Sequence, residues 1–151
     1  MATTARQTRR SGFGRSRSAG TKKRKRPEQV AGAKLIRWID SVVLEDGTRP
    51  GLYFAHTPNG GARSKIEAAI FKGQGVRKGW PDYTLYLPRN GYHGFVQELK
   101  AENGAKPDKE QLEILARLEE AGFAVAVSWG YRAARNDLEQ YLGLPLSRAL
   151  A

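Results

Sequence analysis

Apolar residues recur three or four positions apart in four stretches of the chain, a spacing that gives an α-helix one apolar face. Between these stretches, short apolar and β-branched runs bounded by Gly, Pro, Asn or Asp predict strands. The predicted helices cover residues 27–44, 64–72, 108–121 and 131–141, and the predicted strands cover residues 52–55, 82–87, 93–101 and 123–129. This order predicts an α/β fold in which helices flank one mixed sheet.

Local signals mark several ends of these elements. Asn90 and Gly91 lie between two predicted strands, and this dipeptide strongly favours a tight β-hairpin. Asp108 followed by Gln111 is typical of a capping box at a helix start, and Gly122 fits the position after that helix.

Two of the predicted elements carry an expectation about burial. In the 64–72 helix, Ile66, Ala69 and Ile70 share one face, which we expect to point inward. The 123–129 strand is nearly all apolar, which predicts a strand covered on both faces.

Three charged residues lie at the ends of the predicted hairpin strands. Asp82 begins one strand, while Glu98 and Lys100 lie two positions apart on the other and therefore share a face. The tight turn should bring Asp82 beside Glu98. Two carboxylates and an ammonium group then meet at one end of the sheet.

This cluster has two interpretations. One is a surface ion-pair group, a pattern that occurs often by chance. The other is a site for a hard divalent cation, since Mg²⁺ prefers a few carboxylate oxygens and several waters. Val96 and Leu99 make the second strand core-like, and inward charges in such a strand usually need a reason.

Positive charge is concentrated at one end of the chain. Ten of the 26 lysines and arginines and none of the 15 acidic residues lie in residues 1–26, a segment rich in Gly, Ser and Thr. We expect a disordered basic arm ahead of a nearly neutral domain over residues 27–145 and a short tail over 146–151. The arm suits DNA phosphates, but a solvated tail or a targeting signal would have the same composition. The candidate DNA contacts in its basic run are Lys22, Lys23, Arg24, Lys25 and Arg26.

A second basic group precedes Asp82. It is either a solvated helix face or a set of contacts to the DNA backbone, and phosphate contacts commonly fix register. Its members are Asn59, Arg63, Lys65, Lys72, Arg77 and Lys78.

Composition excludes several other kinds of site. The chain has no cysteine, so it has neither disulfides nor thiolate metal sites. His56 and His93 are the only histidines, and no nucleophile motif accompanies them, so a zinc site or catalytic triad is unsupported. No run of about 20 apolar residues predicts a membrane helix, and we expect an intracellular, cytoplasmic protein.

The motifs resemble a known family when they are taken in order. Gly79-Trp80-Pro81-Asp82 followed by Gln97-Glu98-Leu99-Lys100 resembles the core of the PD-(D/E)xK nucleases. Over about residues 27–142 the pattern is similar to the virus-type replication–repair nuclease (VRR-NUC) domain, in its stand-alone phage or bacterial form. Trp80 departs from the pattern, in which a small or β-branched residue is commoner, and we expect it not to touch the chemistry.

The resemblance implies a restriction-endonuclease-like αβββαβ core and a phosphodiesterase that depends on Mg²⁺ or Mn²⁺. Its metal ligands would be Asp82, Glu98 and the backbone carbonyl of Leu99, with Lys100 assisting the attacking water. Glu28 matches a further acidic residue of such sites, although favourable charge in the first turn of a helix explains it equally well. Gln111 matches a glutamine that faces the site, although capping alone also explains it.

The resemblance also implies a substrate and an assembly. Stand-alone members are expected to be homodimers, and branched DNA such as a four-way junction would match the symmetry of a dimer. The alternatives are a nicking or flap endonuclease and a non-cleaving basic module that binds DNA.

Overall fold

The computed structural model of the protein describes residues 26–58 and 64–147. Its helices are α1 (Pro27–Ser41), α2 (Lys65–Gly73), α3 (Lys109–Glu120) and α4 (Gly130–Leu142), with one short 3₁₀ helix at Pro50–Tyr53. Its strands are β1 (Phe54–His56), β2 (Tyr83–Leu85), β3 (Phe95–Lys100) and β4 (Ala124–Trp129). The basic arm predicted over residues 1–26 lies outside the described residues except for Arg26.

The four strands form one mixed sheet in the order β1-β2-β3-β4. β1 pairs with β2 and β2 with β3 in antiparallel fashion, whereas β3 and β4 run parallel. A helix precedes β4, as a parallel connection requires. The predicted α/β class with a mixed, helix-flanked sheet is confirmed.

The two faces of β3 meet different helices. Phe95 and Leu99 belong to the core cluster shared with α1 and α4. Gln97 points the same way, and its amide donates to the Ala134 carbonyl of α4 at 3.0 Å. Glu98 and Lys100 alternate to the other face, where α3 lies.

Close packing of α1 on the sheet depends on a glycine. A Cβ at Gly32 would overlap the Tyr83 hydroxyl, so a side chain there would have to displace either the Tyr83 ring or α1. The contact fixes the start of α1 beside the start of β2, and both flank the candidate site.

The hairpin and capping predictions agree with the structure. Asn90 and Gly91 have φ values of 53° and 81°, and Arg89 pairs with Tyr92 across them. Two positive φ values in succession are the signature of the type I′ turn. Asp108 caps α3 by accepting from the Gln111 N–H at 2.9 Å.

Several predicted boundaries were wrong. α1 ends at Ser41 rather than at 44, because Val42 is extended and the Ser41 hydroxyl donates to the Trp38 carbonyl at 2.6 Å. Residues 50–53 form the 3₁₀ helix, so the first strand begins only at Phe54. Pro50 opens that turn, since its fixed φ suits a helical first position.

The burial predicted for α2 was also wrong. Ile66 is 75% exposed and Ile70 is 53% exposed, and no α2 residue is buried against the described part of the chain. The apolar spacing and the Ser64–Glu67 capping box specify a helix locally, but they do not place another element over its apolar face.

β4 is an edge strand of the sheet, and both α3 and α4 pack against it, although most of its residues are only half-buried.

Candidate active site

The register of the sheet places the predicted acidic residues together. Tyr83 lies opposite Gln97 in the β2–β3 pair, so Asp82, one residue before β2, continues the register to a position opposite Glu98. Opposed residues of antiparallel strands project on the same face. Asp82, Glu98 and Lys100 therefore occupy one end of the sheet, on the side that α3 covers.

Asp82 is held by the backbone around it. Its Oδ2 accepts from the Leu99 N–H at 2.9 Å, and its own carbonyl accepts from the Thr57 N–H at 2.8 Å. Burial raises the pKa of the Asp82 carboxyl; the Leu99 N–H and the nearby Lys100 charge oppose that rise only in part.

Glu98 is joined to two side chains by short contacts. Lys100 Nζ lies 2.9 Å from Glu98 Oε1 and donates to Gln111 Oε1 at 3.0 Å. The Gln111 amide donates in turn to Glu98 Oε1. Burial raises the pKa of Glu98, and the Asp82 charge raises it further, whereas Lys100 lowers it. Lys100 thus contacts the buried Glu98 carboxyl directly, and its charge also acts on the half-buried Asp82.

Gln111 contacts both the site and the helix start. Its side-chain Oε1 accepts from the Asp108 N–H at 3.0 Å, which completes the capping box, and the same side chain contacts Lys100 and Glu98. The two interpretations made from the sequence therefore describe one residue, because the first turn of α3 points at the end of β3.

A cavity of about 330 Å³ opens beside Asp82. Glu28 lies on its wall, and Glu28 Oε1 accepts from the Ala101 N–H at 3.4 Å. The Glu28 charge also raises the pKa of Asp82. Its place in the first turn of α1 is a second, structural reason for an acidic residue. The cavity is lined by Arg26, Glu28, Gln29, His56, Asp82, Tyr83 and Leu99.

His56 is a site residue that the sequence did not indicate. Its Nδ1 lies 2.8 Å from the Asp82 carbonyl, and its ring lies 5.0 Å from the Tyr83 ring. His56 pairs with Tyr83 in the β1–β2 register, but a helix separates the two strands in sequence. His56 and Asp82 lie 26 positions apart in the sequence, so no local pattern links them.

The basic residues predicted to contact DNA are surface groups where the structure describes them. Lys65 and Lys72 are exposed on α2, and Arg77 and Lys78 are exposed on the loop that follows it. Arg26 is exposed on the rim of the cavity beside Asp82. Asn59, Arg63 and Lys22–Lys25 lie outside the described residues. Glu67 accepts from the Ser64 N–H at 3.0 Å, which supports a capping role rather than a ligand role.

The donor atoms at the site fit a hard cation with few protein ligands. Within residues 26–58 and 64–147, no group of three or more carboxylate, imidazole or thiol side chains is arranged to hold a metal. The predicted ligands include only two such side chains, the Asp82 and Glu98 carboxylates, together with the backbone carbonyl of Leu99. Mg²⁺ accepts such a set because it retains several waters.

Comparisons with known proteins give a structural match. No protein-family model matches the sequence, and no curated protein matches it. Among solved structures, the chain is similar to one described as a "VRR_NUC domain protein", with a TM-score of 0.68 and 26% sequence identity. The match covers 80% of this chain and 91% of that one, so it spans most of both.

No helix in the described ranges is long and apolar enough to cross a membrane.

Proposed function

Starting from the VRR-NUC domain that this chain carries, we propose that the protein is a metal-dependent endonuclease that hydrolyses DNA phosphodiesters. One observation carries the proposal: Asp82 accepts from the Leu99 N–H and Glu98 contacts Lys100, so two carboxyls and a single ammonium group meet at one end of the sheet. When both carboxyls are ionised, this trio keeps a net negative charge, and Glu28 on the cavity wall adds to it. Such a site favours a cation.

The cation we propose is Mg²⁺ or Mn²⁺. Asp82, Glu98 and the Leu99 carbonyl would hold it, and Glu28 faces the same cavity from α1. When bound, such an ion offsets charge on the phosphoryl group and lowers the pKa of water.

Lys100 and Gln111 complete the proposed machinery. Lys100 donates hydrogen bonds, so it can orient the attacking water and stabilise negative charge on the phosphate oxygens. Gln111 contacts both Lys100 and Glu98 and fixes their relative position. Gln111 is therefore a positioning residue: it holds Lys100 and Glu98 in place.

Exposed cations on α2 and on the loop after it suit a polyanionic substrate. Because they are exposed, these four can bind DNA phosphates at little desolvation cost: Lys65, Lys72, Arg77 and Lys78. Arg26 brings the basic arm to the rim of the cavity. We propose that the arm and these residues bind the DNA backbone.

We propose further that two copies of the chain act together on branched DNA. A dimer with twofold symmetry presents two equivalent sites, which matches the symmetry of a four-way junction and would place one cut on each of two strands. A nicking or flap endonuclease would use the same site as a single copy. The predicted intracellular location stays a prediction.

The test is cleavage of a labelled four-way junction beside a linear duplex, a flap and a single strand, each with Mg²⁺ or with EDTA. Glu98→Gln removes the proposed ligand charge at nearly constant shape. Glu113→Gln makes the same chemical change on the exposed surface of α3, where Glu113 lies 3.7 Å from Lys109, and is the matched control.

The outcomes separate the alternatives. Paired cuts in the junction that need Mg²⁺ and survive Glu113→Gln but not Glu98→Gln would support the proposal. Cuts confined to the flap or to one strand of a duplex would support the same site with a different substrate. Binding without cleavage of any substrate would leave a basic module that binds DNA.

A further inference from the structure

A groove separate from the cavity at Asp82 lies between the loop at residues 77–80 and α3. Its volume is about 430 Å³, and Trp80, Ile114 and Leu118 provide its apolar lining. Trp80 is 40% exposed, an unusual position for the largest apolar side chain. Ile114 and Leu118 are half-buried and form the base of the groove.

The rim of this groove is cationic. Arg77, Lys78 and Arg117 line it, and all three are exposed. Lys78 Nζ lies 2.9 Å from Glu110 Oε2, but both side chains are more than half exposed, at 76% and 55%. An ion pair so exposed is weak and is readily exchanged for a phosphate. An aromatic ring surrounded by cations is the composition that binds single-stranded nucleic acid.

The groove lies along the same face of α3 as Gln111 of the candidate active site. Gln111, Ile114 and Leu118 follow each other at intervals of three and four residues, so they share one face of α3. At a rise of about 1.5 Å per residue, the groove lies roughly 4–11 Å along the helix from Gln111. Trp80 is also only two residues from Asp82.

The loop that carries Trp80 is held firmly against α3. Gly79 has a φ of 82°, and a Cβ there would lie 3.1 Å from the Glu110 carbonyl carbon. Only glycine satisfies both conditions without strain. The position of Trp80 over the groove is therefore set by backbone packing.

From this geometry we propose that the groove binds an unpaired nucleobase, stacked on Trp80, while Arg77, Lys78 and Arg117 hold the adjacent phosphates. The proposal rests on the proposed endonuclease activity and favours, among branched DNAs, those with unpaired bases close to the cut. A base inside a duplex cannot reach Trp80, because both of its faces are already stacked.

The first test compares two DNAs of equal length in EDTA, one a blunt duplex and one with a short unpaired gap. Trp80→Ala should weaken binding of the gapped DNA by about ten-fold and leave the blunt duplex unchanged, since stacking on an aromatic ring is lost. Trp80→Phe should retain most of the preference. Trp129→Ala is the matched control, because Trp129 is 39% exposed and does not line the groove.

The second test measures stacking directly. With Trp38 and Trp129 replaced by Phe, Trp80 becomes the only tryptophan in the chain. Its fluorescence should be quenched by the gapped DNA and not by the blunt duplex.

Either of two results would overturn the proposal: absence of quenching by the gapped DNA, or a Trp80→Ala loss that is equal for the two DNAs or is matched by Trp129→Ala. Both measurements are made without metal, so they do not depend on cleavage. Quenching by gapped DNA in a protein that never cuts would refute the nuclease and leave the groove in place. Metal-dependent cutting without quenching would refute base binding in the groove and leave the nuclease in place.

Discussion

Removing the ammonium group of Lys100 should destabilise the metal-free protein strongly. Lys100 Nζ lies 2.9 Å from Glu98 Oε1, and only 4% of the Glu98 side chain is exposed. At an effective dielectric constant of about 20, two charges at that distance attract by roughly 6 kcal/mol. Breaking a buried pair by removing one partner typically costs about 3–5 kcal/mol. Lys100 retains 16% exposure, so we expect Lys100→Met to cost about 3 kcal/mol at pH 8.

The loss should depend on pH in a definite direction. Burial and the Asp82 charge already raise the pKa of Glu98, and loss of Lys100 would raise it further. A carboxyl whose pKa is raised in the folded state favours folding when protonated, and that contribution is lost as pH rises through the raised pKa. The cost of Lys100→Met should therefore be largest at pH 8 and shrink towards the pH range in which ordinary carboxyls titrate.

The measurement is urea unfolding in EDTA for four proteins: wild type, Lys100→Met, Glu98→Gln/Lys100→Met and Lys109→Met. The double variant leaves no uncompensated charge at Glu98 and should recover to within about 1 kcal/mol of wild type. Lys109 pairs with Glu113 at 3.7 Å on the exposed surface, so its variant should cost no more than about 0.5 kcal/mol. A Lys100→Met cost below about 1 kcal/mol at pH 8, or a double variant as unstable as the single one, would refute the reasoning.

Three further predictions concern the site and the arm. Gln111→Ala and Asp108→Ala should each lower the free energy of unfolding by about 1 kcal/mol, because both break the shared capping box. Only Gln111→Ala should also lower the cleavage rate. Equal cleavage rates in the two variants would remove Gln111 from the site. Because the pKa values of Asp82 and Glu98 are both raised, the metal-free protein should lose stability as pH rises through them. Added Mg²⁺ should then raise the thermal midpoint more at pH 8 than at pH 5, and a shift equal at both would contradict the ligand assignment. Deletion of residues 1–25 should make the affinity for DNA less dependent on salt, in a titration from 50 to 200 mM, while the cleavage rate at saturating protein stays within about two-fold; an unchanged salt slope would remove the arm from the interface.

Elements specified by neighbouring residues were predicted well from the sequence. The Asn90-Gly91 turn needs two positive φ values in succession, a requirement written into two adjacent residues. The Asp108–Gln111 cap spans a single helical turn. The hairpin in turn brought Asp82 opposite Glu98, so the core of the candidate site followed from residues only 18 positions apart.

Burial and distant contacts were decided by the tertiary structure. The apolar face of α2 was expected inside, yet Ile66 and Ile70 are exposed, because helical spacing fixes which residues share a face but not what covers that face. β4 was expected to be covered on both faces, and α3 and α4 do pack on it; its position at the edge of the sheet was not predicted, since strand order is a property of the whole sheet.

The sequence by itself determined the order of elements, the hairpin and the helix starts, because each depends on chemistry within a few positions. Only the tertiary structure brought His56 against Asp82, set Glu28 on the same cavity and formed the groove at Trp80. Those arrangements join residues from separate elements. Their relative positions come from packing across the whole core, which no local pattern encodes.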